Sequence, residues 1–105
     1  MQKHSIGCVK AATHILGDKW TPQLLRFFAN ESVVRFGSLQ DFVSGINPRT
    51  LSARLANLEK EGIIERRSKP HTSRCEYVLT KKGSALIPIL FAMESWGRRY
   101  PSISE

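Results

Sequence analysis

Residues 36–79 constrain the fold of this chain more than any other stretch. Phe36-Gly37-Ser38-Leu39-Gln40-Asp41-Phe42 spaces its apolar residues for one short helix, and Ser44-Gly45-Ile46 then reads as a turn. A second helix follows with its own start signal. Asn47 is a good N-cap, and Pro48 falls at the first helical position, where its missing N–H costs little. Leu51, Leu55 and Leu58 recur at helical spacing and form one buried stripe, while Arg49, Thr50, Ala53, Arg54 and Asn57 fall mostly on the opposite side. Glu61-Gly62 stops the helix with a residue that tolerates the left-handed conformation. Two strand-like runs, 63–68 and 74–79, then flank a polar, proline-containing loop at 69–73.

Two short helices joined by a glycine-containing turn form a helix-turn-helix, which sets its second helix in the DNA major groove. A basic hairpin directly after it makes a winged helix. The expected fold is therefore mainly α with a small β-hairpin, an α+β winged helix-turn-helix with extra N- and C-terminal helices. The helix at about 48–61 is expected in the major groove, and the wing at about 68–75 on the minor groove or the backbone. Charge agrees with this. The chain carries a net +7, and residues 46–82 alone hold nine Lys/Arg against four acids, a net +5. Cations gathered at the motif suit a polyanion, because each neutralised phosphate releases counterions. Spread evenly, the same charge would serve only solubility.

The flanking segments read as helices. Apolar residues at Cys8, Ala11, Ala12, Ile15 and Leu16 give one face of a helix over 8–16, which Gly17 ends. Asp18 caps a second helix over 19–28, with Pro22 in its first turn and Trp20, Leu24, Leu25, Phe27 and Phe28 supplying core contacts. Residues 33–36 suit a short strand pairing with the wing, and Gly37 or Ser38 starts the next helix. On the second wing strand, Tyr77 and Leu79 alternate with Glu76 and Val78, as in a two-sided strand. Thr80 caps a last helix over 81–100, which Pro88 should kink. Its apolar set includes Leu86, Ile87, Ile89, Leu90, Phe91, Met93, Trp96 and Tyr100, wider than one core-facing stripe, so a second copy of the chain is expected against it.

At 105 residues the chain reads as one domain over 1–105. Only about 65% of the unfolded surface is buried at this size, so dimerisation would add to stability. No apolar run reaches transmembrane length and the first residues lack the apolar core of a signal peptide, so the expected place is the cytoplasm, with no membrane partner. Cys8 and Cys75 form no zinc spacing with His4, His14 or His71, and no metal or cofactor is expected. A structural disulfide does not suit that compartment. No acid pair, nucleophile triad or phosphate loop is present, so the chain does not read as an enzyme.

With those elements placed, four stretches resemble the HxlR-type winged helix-turn-helix regulators, which are MarR-like. They are Cys8 with Ile15-Leu16-Gly17-Asp18-Lys19-Trp20-Thr21-Pro22-Gln23-Leu24-Leu25, then Arg35-Phe36-Gly37-Ser38-Leu39-Gln40. Gly45-Ile46-Asn47-Pro48-Arg49-Thr50-Leu51-Ser52-Ala53-Arg54-Leu55 with Leu58-Glu59 and Glu76-Tyr77-Val78-Leu79-Thr80-Lys81-Lys82-Gly83 follow. The resemblance implies a transcriptional regulator that binds double-stranded operator DNA as a homodimer built on its first and last helices. It also implies that Cys8, at the position of the family's sensing cysteine, takes an oxidant or electrophile signal. The stretch Pro70-His71-Thr72-Ser73-Arg74-Cys75 departs from the family's wing pattern.

Each candidate has a plain reading beside the functional one. In the recognition helix, Arg49, Thr50, Ser52 and Arg54 are read as DNA contacts, since Arg pairs bidentately with guanine and Thr offers a hydroxyl and a methyl. Arg54 has no acid three or four residues away, which favours DNA over a surface ion pair. Ser38 and Gln40 either hold a phosphate or, for Ser38, only cap a helix. Lys69, His71, Thr72 and Arg74 either grip DNA or form an exposed turn. Cys8, beside Lys3, His4 and Lys10 in sequence, is either a reactive thiolate or a small apolar residue in the interface. Ile15, Leu86, Leu90, Met93, Trp96 and Tyr100 are assigned to the dimer interface. The competing function is a winged helix that binds protein rather than DNA, which would show apolar or acidic residues where this chain has Arg49, Thr50 and Arg54.

Overall fold

The computed structural model describes residues 5–68 and 75–101. In chain order it runs α1 (Ser5–Leu16), α2 (Thr21–Phe28), β1 (Val34–Arg35), α3 (Phe36–Phe42), α4 (Pro48–Lys60), β2 (Ile64–Ser68), β3 (Cys75–Leu79), α5 (Lys81–Ser84) and α6 (Ile87–Arg99). The strands form an antiparallel sheet in the order β1-β3-β2, with Val34 opposite Tyr77 and Ile64 opposite Leu79. The strand expected at 33–36 is present only as Val34–Arg35, since Phe36 opens α3, and it pairs with the second wing strand.

Helix α4 is closed at both ends by local chemistry. The Asn47 side chain accepts the Thr50 N–H at 2.8 Å, and Pro48 opens the helix. At the other end the Ile63 N–H donates to the Leu58 carbonyl at 2.9 Å and the Gly62 N–H to the Glu59 carbonyl at 3.1 Å. Gly62 takes φ +76° there, the left-handed cap that a side chain would strain. Leu51, Leu55 and Leu58 are buried as the spacing predicts, beside Leu24, Leu25, Leu39, Ile63 and Ile64. Full burial of each such side chain is worth about 1.5–3 kcal/mol. Two polar contacts tie α4 to the region of α1: Arg54 Nε lies 3.3 Å from Asp18 Oδ1, and His14 Nε2 lies 3.0 Å from Glu61 Oε2.

Four expectations need correction. Helix α2 starts at Thr21 rather than 19, because the Asp18 carboxylate takes the Trp20 and Thr21 N–H groups at 2.8 Å each and holds the chain in a turn first. Helix α3 begins at Phe36, one or two residues before the expected Gly37 or Ser38, so Ser38 lies inside the helix and is not its cap. The helix expected over 81–100 is two helices. Pro88 cannot donate to the Ser84 carbonyl and its ring would clash there, so the chain turns at 85–86 and α6 starts afresh with Pro88 in its first turn. Thr80 does cap the first piece, accepting the Gly83 N–H at 3.0 Å. Gly83 packs so closely on the α4–β2 junction that a Cβ would collide with the Ile63 carbonyl. Finally, Glu76 and Tyr77 are both buried, so β3 does not alternate. It is the central strand, and Glu76 sits between Arg35 on β1 and Arg67 on β2 in register, with Arg35 Nη2 at 3.4 Å.

Ile15, Leu86 and Leu90, assigned above to a dimer interface, belong to the protomer's own core. Residue type alone does not separate the two destinations, and α6 turns its Leu86–Leu90 side inward. Met93, Trp96 and Tyr100 are exposed, as are Ile6, Val9, Ile89 and Phe91. Among the described residues no helix is long and apolar enough to cross a membrane.

Candidate nucleic-acid interface

The outward face of α4 carries Arg49, Ser52, Ala53 and Asn57, all exposed, with Thr50 half-buried. Arg49 lies beside Asn47 and Pro48 at the capped end and has no ion-pair partner among the described residues. A guanidinium there, on a helix whose ends and stripe are fixed, presents five donors from a rigid base.

Arg54 differs from expectation. The acid that pairs with it lies 36 residues earlier in the chain: Asp18 Oδ1, 3.3 Å from Arg54 Nε. A search of neighbours along one helix could not find it. Asp18 also accepts the Thr21 hydroxyl at 2.6 Å through Oδ2. Burial pushes the Asp18 carboxyl upward, but the hydrogen bonds from the Thr21 side chain and from the Thr21 and Trp20 N–H groups, with the Arg54 charge, hold it below the usual carboxylate range.

Ser38 is exposed and Gln40 half-buried on α3. Ser38 shares an open cavity of about 590 Å³ with Arg35, Asp41 and Tyr77. Arg35, a half-exposed cation just ahead of α3, was not among the residues read as DNA contacts, although its position beside Phe36-Gly37-Ser38 was a usable signal. On β2, Arg66 and Arg67 are exposed, each near an acid: Arg66 Nε at 3.9 Å from Glu59 Oε2 and Arg67 Nη2 at 3.3 Å from Glu65 Oε1. Lys69, His71, Thr72 and Arg74 lie outside the described residues. At the wing base, burial pushes the Tyr77 phenol up, and the neighbouring Cys75 thiol adds to the shift.

Cys8 is exposed on α1 and Cys75 half-buried on β3; neither is in a disulfide. Cys8 faces Ile89 and Met93 of α6 across an open cavity of about 480 Å³ that Val9, Ala12 and Leu16 also line. Lys3 and His4 lie outside the described residues. On the far part of α6 the Trp96 and Tyr100 rings sit 5.3 Å apart, both exposed.

Known proteins share this arrangement. The HxlR-like helix-turn-helix family matches residues 15–105. An uncharacterized HTH-type transcriptional regulator of Methanothermobacter thermautotrophicus is 36% identical over 98 residues, spanning 92% of this chain and 74% of the relative. YvaP of Bacillus subtilis, described in the same words, is 37% identical over 90 residues, 85% of this chain and 82% of its own. Among solved structures, the redox regulator HypR in its reduced form superposes with a TM-score of 0.84 at 28% identity, covering 90% of this chain and 94% of HypR. The reduced form of the transcriptional regulator YodB from B. subtilis gives 0.75 at 27% identity, covering 91% and 94%. These relatives are regulators rather than enzymes, and this chain belongs to the HxlR-like helix-turn-helix family of transcriptional regulators.

Proposed function

We propose that the chain, acting as one domain over 1–105 in the cytoplasm, binds operator DNA as a homodimer. Helix α4 enters the major groove, Arg49 and Thr50 contact bases, and Ser52 and Arg54 contact bases or phosphates. Ser38 and Gln40 meet the phosphate backbone, and Lys69, His71, Thr72 and Arg74 of the wing meet the minor groove or backbone. The observation that carries this reading is the outward face of α4: a helix capped at both ends that keeps its polar and cationic side chains outside. The exposed apolar residues of α1 and α6, Met93 and Trp96 among them, support a second copy as the partner there.

Cys8 serves as the oxidant or electrophile sensor in this reading. Its support is its exposure at the α1–α6 cleft and the likeness to the redox regulator HypR and to YodB, solved in reduced and diamide-treated forms. The test is binding to the duplex upstream of the coding region beside a random duplex, across a salt series and with a mild thiol oxidant. With about six phosphates met per dimer, log affinity falls with log salt at a slope of about −5. A flat salt response, or no preference over the random duplex, moves the assignment to a protein-interaction module. An oxidant response that survives Cys8→Ser removes Cys8 as sensor and leaves the DNA reading standing.

A further inference from the structure

The carboxylate of Asp18 and the guanidinium of Arg54 meet side-on, through Nε alone. This leaves both Nη groups of Arg54 without a partner among the described residues. Asp18 itself has little freedom. Its Oδ1 accepts the Trp20 and Thr21 N–H groups at 2.8 Å each, and its Oδ2 accepts the hydroxyl of Thr21, which is 2% exposed. Arg54 thus leaves the second helix of the motif one turn on from Thr50, and its side chain is braced by a different element, the start of α2. Stability does not account for the arrangement. The two side chains are 36% and 33% exposed, and ion pairs at that exposure contribute little. A pinned Nε does have a geometric consequence. The guanidinium is planar, so fixing one edge fixes the direction of the Nη edge, the fork that pairs bidentately with guanine or a phosphate.

The geometry points to Asp18 as a positioning residue for sequence discrimination: held by the start of α2, it grips Arg54 at Nε and aims the Nη edge at DNA. It does not touch DNA itself. This rests on the DNA-binding reading above. It carries an unusual sign, because a carboxylate beside a polyanion opposes binding by charge alone. Removing that charge should leave affinity for arbitrary DNA equal or higher, while discrimination between sequences drops.

The test uses the full chain, a duplex selected by the wild-type protein from a random pool, and a duplex of scrambled sequence. Asp18→Asn keeps the turn before α2, since Asn and Asp cap about equally, but turns the charge-assisted bond that grips Arg54 Nε into a weaker neutral one. Expected is a fall of about ten-fold in the ratio of selected to scrambled affinity, the size of one lost bidentate contact, with no loss on the scrambled duplex. Arg54→Ala should lose discrimination to the same order, and the double variant should lose no more than Arg54→Ala. Arg54→Lys, which leaves α2 untouched, should also lose it, because an ammonium cannot be pinned at one edge and point a fork from the other. An Asp18→Asn protein that discriminates like wild type, losses that multiply in the double variant, or a lysine that retains discrimination would each overturn the proposal while leaving DNA binding intact. Failure of the wild-type protein to prefer any duplex sinks the DNA reading and this proposal together.

Discussion

Helices α4 and α6 are both 13 residues long, and they divide their residues in opposite ways. In α4 the three large apolar residues are all buried within the protomer, and its exposed surface carries polar and charged side chains with only small apolar residues, Pro48, Ala53 and Ala56, among them. In α6 only Leu90 is buried, while Ile89, Phe91, Met93 and Trp96 remain exposed. A helix whose apolar stripe is fully used inside its own chain has a surface left over for a charged partner. A helix with apolar residues on several sides is incomplete until another surface covers it. The same length of helix therefore completes the protomer's core in one place and leaves apolar surface uncovered in the other.

The sharpest way to break this contrast is to truncate each helix's main apolar residue. Leu55→Ala, at a site 2% exposed, should cost about 3 kcal/mol in urea unfolding, through lost transfer energy and a residual cavity. Trp96→Ala, at a site 65% exposed, should leave unfolding of the dilute protomer nearly unchanged but weaken self-association by about 2 kcal/mol, read by sedimentation equilibrium. If Trp96→Ala destabilises the dilute protein as much as Leu55→Ala, the two helices are not different in kind. Asn47→Ala should cost about 1 kcal/mol by removing the acceptor of the Thr50 N–H, seen as a lower urea midpoint at unchanged slope.

A smaller effect concerns acid. Asp18 ionises more readily in the folded chain than in the unfolded one, so its contribution is present above the ordinary carboxylate range, about pH 4, and fades as pH falls through the lowered folded value. Below about pH 4 the stability gap between wild type and Asp18→Asn should therefore narrow. A gap that stays constant down to pH 2, on the order of two units below the reference carboxylate, would mean that the Asp18 charge contributes nothing.

What was legible in the chain follows from how far each signal reaches. The start of α4 at Asn47-Pro48, its leucine stripe and its end at Gly62 are local, each decided within a few residues, and the structure has them where the spacing puts them. Pro88 was visible as an interruption, but whether a proline bends a helix or opens a new one depends on what the preceding turn packs against, here the close approach of Gly83 to Ile63. Glu76 and Tyr77 were set on opposite faces of a two-sided strand, but the central place of β3 between β1 and β2 buries both. Apolar letters placed Ile15, Leu86 and Leu90 in an interface because a side chain that seeks a core and one that seeks a partner look alike. The Asp18–Arg54 pair joins elements 36 residues apart and leaves no periodic trace.

Helix α4 is held to the α1 side of the protomer twice, by His14 at its C-terminal end and by Asp18, two residues past the end of α1, at its middle. These tethers make α1 and α4 parts of one caliper arm. In the proposed homodimer, joined through α1 and α6, the angle at which the protomers meet sets the span between their two α4 helices. Duplex DNA accepts such a pair only when the half-sites lie about 34 Å apart, or a multiple of that. In that proposed complex a change at the α1 surface need not reach the residues set against DNA to alter binding; opening or closing the caliper is enough.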